Sequence, residues 1–120
     1  MILWRDNNGP ENTSSLGNVT VSCDYRIKKD IVPLRSTWNL VKALKPVRYT
    51  QKAYDIWTND DTPRWGFVAH ELQEALGPHA ATGVKDGPEV QSPNLMGIIA
   101  GLTKALQEAM ARIEALEAAT

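Results

Sequence analysis

A single cysteine, Cys23, in 120 residues excludes an internal disulfide and any zinc site built on thiolates. Neither sign of charge is in excess. Thirteen Lys and Arg stand against fourteen Asp and Glu, a net charge of -1, so nothing recommends electrostatic capture of nucleic acid or of an anionic membrane. The chain also lacks the apolar run of about 18 residues that a transmembrane helix needs. Its first residues do not read as a signal peptide, because Ile2-Leu3-Trp4 gives way at once to Arg5-Asp6-Asn7-Asn8-Gly9-Pro10. His70 and His79 have no ligand spacing to each other or to the cysteine, so no metal and no cofactor are expected. What is left is a soluble chain suited to a reducing compartment, long enough for one core of about 100–150 residues.

The character of the sequence changes at Val21-Ser22-Cys23-Asp24-Tyr25-Arg26-Ile27-Lys28. Residues 1–22 are rich in turn formers, with Asn7-Asn8-Gly9-Pro10, Asn12-Thr13-Ser14-Ser15 and one β-prone piece, Val19-Thr20-Val21. Alone they bury too little apolar surface to offset their ordering entropy. They read either as the end of an upstream structure or as a linker.

Past the cysteine the periodicities can build a core. Ile31, Leu34, Trp38, Val41 and Leu44 recur at threes and fours and predict a helix from about Asp30, with Pro33 in its first turn and Pro46 as its stop. Residues 47–52 alternate through Val47 and Tyr49 as a half-buried strand does, and residues 64–69 predict a second strand across a loop at 59–63. Together they make a hairpin. Gly66 marks a close backbone approach within it. Residues 70–76 form a short helix ended by Gly77-Pro78, and residues 80–91 are a turn-rich loop.

The last segment, from about 94 to 118, has no proline and is dominated by Ala, Leu, Glu and Gln. Ile99, Leu106 and Ile113 at a with Leu95, Leu102, Ala109 and Leu116 at d give a continuous seam over about three heptads. This predicts a coiled coil, because a tail of this length would otherwise leave its stripe wet. Packing of one amphipathic helix on its own domain is the alternative. The expected fold class is α+β, a small antiparallel sheet with short helices and a long C-terminal helix.

Several motifs, taken in order, then resemble the intramolecular chaperone domain of bacteriophage tail fibres, tailspikes and endosialidases. They are Cys23-Asp24-Tyr25-Arg26-Ile27-Lys28, Ile31-x-Pro33-Leu34, Leu44-Lys45-Pro46-Val47-x-Tyr49, the run from Gly66 to Glu74, and Ala105-Leu106-Gln107-Glu108 with Arg112-Ile113-x-x-Leu116-Glu117. The resemblance implies an intertwined homotrimer that trimerises and registers the upstream fibre or spike of the same chain in the host bacterial cytoplasm. It places the domain at residues 23–120, with 1–22 as fibre end or linker. It also implies single-turnover autoproteolysis by a serine/lysine dyad at the head of a Ser-Asp-x-Arg-x-Lys motif. Carried onto this chain, the nucleophile is Cys23, the base Lys28, the supporting pair Asp24 and Arg26, and the scissile bond Ser22–Cys23.

Here the chain departs from the pattern, with sulfur where the family has a serine oxygen. A thiol can attack the preceding carbonyl through a five-membered ring to give a thioester, but an amide-to-thioester shift is less favourable than one to an ester, so cleavage is expected to be slow or absent. Geometry adds a condition. Five residues of extended chain separate Cys23 and Lys28 by about 16 Å, and the pair can meet only through a tight turn or between chains. Two further readings stand beside self-release: a structural trimerisation cap whose cleavage has been lost, and a retained receptor-binding tip. For single residues the duller roles are an inert small hydrophobe for Cys23, a local ion pair for Asp24 and Arg26, and core or subunit contacts for Trp4, Trp38, Trp57 and Trp65.

Overall fold

The computed structural model describes residues 23–119. The expectations for residues 1–22, Ser22 included, lie outside them. Contacts divide the chain into two units, Met1–Pro33 and Leu34–Thr120. Among the described residues of the first, a 3-10 turn at Tyr25–Ile27 is followed by exposed, irregular chain in which Asp30 takes a left-handed φ of 56°.

The second unit runs α1 (Trp38–Lys42), β1 (Val47–Gln51), β2 (Asp60–Gly66), α2 (Ala69–Leu76), a 3-10 turn at Pro78–Ala80 and α3 (Leu95–Ala118). The α+β class expected from the sequence is the class observed, with a two-stranded antiparallel sheet, short helices and a long last helix.

Two elements differ from expectation. The helix expected from Asp30 forms only from Trp38, since the positive φ of Asp30 and the extended preference of the residue before Pro33 both oppose a helical start. Ile31 and Leu34, expected on its buried face, are exposed. The second strand begins earlier and ends earlier than expected, at Asp60 and Gly66. Residues 60–63 join the strand through an irregularity: Tyr49 pairs with Arg64, but Gln51 pairs with Asp60, so β2 carries extra residues there. Pro63, unable to donate to a ladder, lies within this bulge. The Asp60 carboxylate shapes it, accepting from the Thr62 amide at 2.9 Å and from Arg64 Nη2 at 2.7 Å. As expected, Gly66 is a place of close approach, where a Cβ would lie 3.1 Å from the Tyr49 ring.

The core is small. Leu72 of α2, Ala80 and Ile98 of α3 are buried together, with Leu44 and Leu76 packed around them. Gly77 ends α2 at a φ of 116°, in the region glycine favours, and its amide donates to the Gln73 carbonyl. Beyond buried Ala80 and Ala81, the loop after it is held by polar contacts. Gln73 Nε2 lies 3.0–3.1 Å from the carbonyls of Pro78, Ala81 and Gly83, and Gln91 Nε2 donates to Gln73 Oε1 at 2.9 Å. The hairpin, by contrast, is uncovered on the single chain, and Trp65 is 88 % exposed. The inward face expected for Tyr49 is therefore not buried within the chain.

Helix α3 docks on its own unit by Ile98, Gly101 and Glu108, with Arg112 stacked 3.8 Å over the Trp38 ring. Gly101 is buried, yet a Cβ built there meets nothing within 4 Å. A helical glycine with room for a methyl group carries only its entropic cost. Gly101→Ala is expected to stabilise the folded chain by about 0.5–1 kcal/mol, read as a higher denaturation midpoint at unchanged slope. A lower midpoint would mean that the approach of Thr37 to this carbonyl depends on the missing side chain.

Candidate processing site and assembly surface

Cys23 is exposed and directly precedes the 3-10 turn. Asp24 is the turn's N-cap, its Oδ1 accepting from the Arg26 amide at 2.8 Å. The Arg26 guanidinium closes on the same carboxylate in a forked pair, Nε to Oδ1 at 3.1 Å and Nη2 to Oδ2 at 2.7 Å. The side-chain bond to Arg26, followed by its amide, holds the Asp24 carboxyl below its ordinary value and raises the guanidinium above its own. Both groups are exposed, so the pair shapes the turn more than it stabilises the chain. The local ion pair expected for these residues is thus present.

Lys28 closes the turn from the other end, its amide donating to the Tyr25 carbonyl at 3.0 Å, and its backbone returns to the extended region. Cys23 and Lys28 therefore flank one tight turn. A 3-10 turn rises about 2 Å per residue against about 3.3 Å in a strand, so the separation that extended chain would impose is shortened. Among the described residues no group of three or more His, Cys, Asp and Glu could hold a metal ion, and no helix is long and apolar enough to cross a membrane.

The second candidate region is α3. Its 24 residues agree with the expected span, and the side chain of Asn94 caps it by accepting from the Gly97 amide at 3.2 Å. On the single chain the seam faces outward: Leu95, Ile99, Leu102, Leu106, Ile113 and Leu116 are all exposed, Leu106 by 62 %, and only Ala109 is half-buried. The helix does pack on its own domain, as the alternative had it, but through the stripe that runs from Ile98 to Arg112. At about 100° per residue that stripe lies roughly a quarter-turn from the seam. Met96 and Met110 extend the exposed apolar face beyond the heptad positions.

Sequence reasoning missed Thr37, and named Glu108 and Arg112 only as members of a motif, without their contacts. Thr37 is buried, donates its hydroxyl to the Gly101 carbonyl at 2.7 Å, and receives Glu108 Oε1 at its amide at 3.0 Å. The Ser36 hydroxyl keeps the Glu108 carboxyl below its ordinary value; burial, the next largest influence, opposes it, and the Thr37 amide, Lys104 and the Trp38 amide add to the lowering. Ser36-Thr37 ahead of Trp38 was the available signal, a helix-start signature overlooked by placing the start at Asp30.

Residues 23–81 match the model of a peptidase-named family described as chaperone of endosialidase. The match begins at Cys23 and ends at Ala81, so α3 lies beyond it. No curated protein matches the chain. The resembling motifs between Cys23 and Glu74 fall within the match, and the one in α3 lies outside it: the segment 23–81 belongs to the chaperone of endosialidase family, the intramolecular chaperone domains of phage tail proteins.

Proposed function

We propose that residues 23–120 trimerise through α3 and hold three copies of an upstream fibre or spike, of which residues 1–22 are the end, in register while it folds within the host cytoplasm. The observation that carries this is the exposed α3 seam on a helix already docked to its own unit by a different stripe. The described residues bury few apolar side chains, and further burial, which three copies would supply, favours the same reading. Isoleucine at two a positions and leucine at most d positions leave the strand number open; three is the number the family resemblance implies. Intertwined fibres gain from such a clamp, because inter-chain pairing meets its association entropy before any contact repays it.

Release follows at Ser22–Cys23. Lys28, when neutral, takes the Cys23 thiol proton; Sγ attacks the Ser22 carbonyl carbon; the C–N bond breaks and the proton passes to the departing amine. Water then hydrolyses the thioester to a carboxylate on Ser22 and a thiol on Cys23. Asp24 and Arg26 hold the turn that Cys23 and Lys28 flank. The second reading, a cap whose cleavage has been lost, is favoured by one observation, the sulfur at the nucleophile position. Sedimentation of the whole chain, with mass spectrometry of the same sample, tests assembly and processing together. Three-chain mass across dilution is expected, and a monomer at every concentration would sink the assembly half of the proposal.

A further inference from the structure

We infer that α1 is a reporter of α3, docking only onto a helix that is continuous from residue 101 to residue 112. Helix α1 has five residues, too few to persist unaided. Its N-cap, Thr37, makes no side-chain hydrogen bond to the helix it begins. Instead the Thr37 hydroxyl reaches the Gly101 carbonyl, the Thr37 amide reaches Glu108 Oε1, and the Trp38 ring receives Arg112. All three partners belong to α3. In a helix, residues 101, 108 and 112 fall on one stripe about 16 Å long; in extended chain the same residues spread over as much as about 36 Å. Thr37 and Trp38, adjacent in sequence, can engage all three only in the first case.

The contact is independent of the apolar seam. Ile99, Leu102 and Leu106 are exposed beside a helix already engaged by Thr37 and Trp38, so a second copy and α1 can hold α3 at once. Docking of α1 therefore comes after α3 has formed, and closes the unit from its last helix back toward its first. This holds whether or not the chains trimerise.

Gln107 is exposed and points away from the docking stripe, between two of its members. Gln107→Pro breaks the helix there without removing any contacting side chain. Hydrogen exchange on the full chain is expected to show the Thr37, Val41 and Leu44 amides exchanging at least tenfold faster, while β1, β2 and the loop held by Gln73 keep their protection. Unchanged α1 protection, with circular dichroism showing α3 broken, overturns the inference. If the proline variant unfolds entirely, Gln107→Gly weakens the helix without a kink, by about threefold in its local equilibrium. Exchange in α1 then rises in step with exchange in α3; α1 staying protected while α3 frays overturns it. Sedimentation of the same samples keeps the two proposals apart, since a monomer whose α1 follows α3 supports this inference while sinking the trimer.

Discussion

A Cys23→Ser chain that carries its folded upstream segment yields a fragment beginning at residue 23, and the same chain with Lys28→Ala stays whole. Restoring oxygen makes the acyl shift an amide-to-ester exchange in a turn whose shape Asp24 and Arg26 already set. Removing the base takes away a contribution of about 10²–10⁴ in rate, enough to turn complete processing into none on the timescale of assembly. The parent chain is expected to remain uncut or to cut slowly, and hydroxylamine, which captures thioesters, separates these two cases. N-terminal sequencing of the products is the measurement. Cutting that continues without Lys28 removes it as the base; a serine chain that never cuts, on an upstream segment shown to be folded, sinks the processing site at this bond.

Leu106→Asp converts the proposed three-chain assembly into monomers. Each leucine buried at a seam is worth about 1.5–3 kcal/mol, and a carboxylate in its place brings a desolvation cost and repulsion from its two symmetry mates. The change enters the assembly three times over, so a loss of well over a hundredfold in association is expected. Leu106 is 62 % exposed on the single chain, so the fold of one chain has little reason to suffer. Sedimentation gives the mass and circular dichroism the helix content. A variant that keeps the parental mass shows that α3 is not the joint.

The span of α3 and the 70–76 helix were legible because both depend on local pattern: helix formers without proline, and helix formers ended by Gly77-Pro78. The hairpin was legible in its pairing and not in its bounds. Asp60-Asp61-Thr62-Pro63 has turn composition, and only the bulge, set by the Asp60 carboxylate, admits it to a strand. The start of α1 failed for a different reason. The repeat through Ile31 and Leu34 is genuine in spacing, but the helix starts where Thr37 finds partners 64 and 71 residues away. Ser36-Thr37 marks a helix start locally, but the distant partners lie outside any local window. At the candidate site, the family resemblance alone proposes Cys23, Asp24, Arg26 and Lys28, and a tight turn is one of two ways for the ends to meet; the cap of the turn lies in the motif's own aspartate.

The bulge at Asp60 has a meaning beyond its geometry. A two-stranded hairpin leaves an unsatisfied edge on each side, and such edges invite other strands to add on and grow into aggregates. On β2 this invitation is withdrawn, since the register slips before Gln51, Pro63 offers no amide, and the Asp60–Arg64 ion pair lies along the strand. On the proposed function the domain stands beside partly folded copies of the upstream chain. A regular edge offered to them would become a nucleus for misassembly; on its β2 side this hairpin is a poor template.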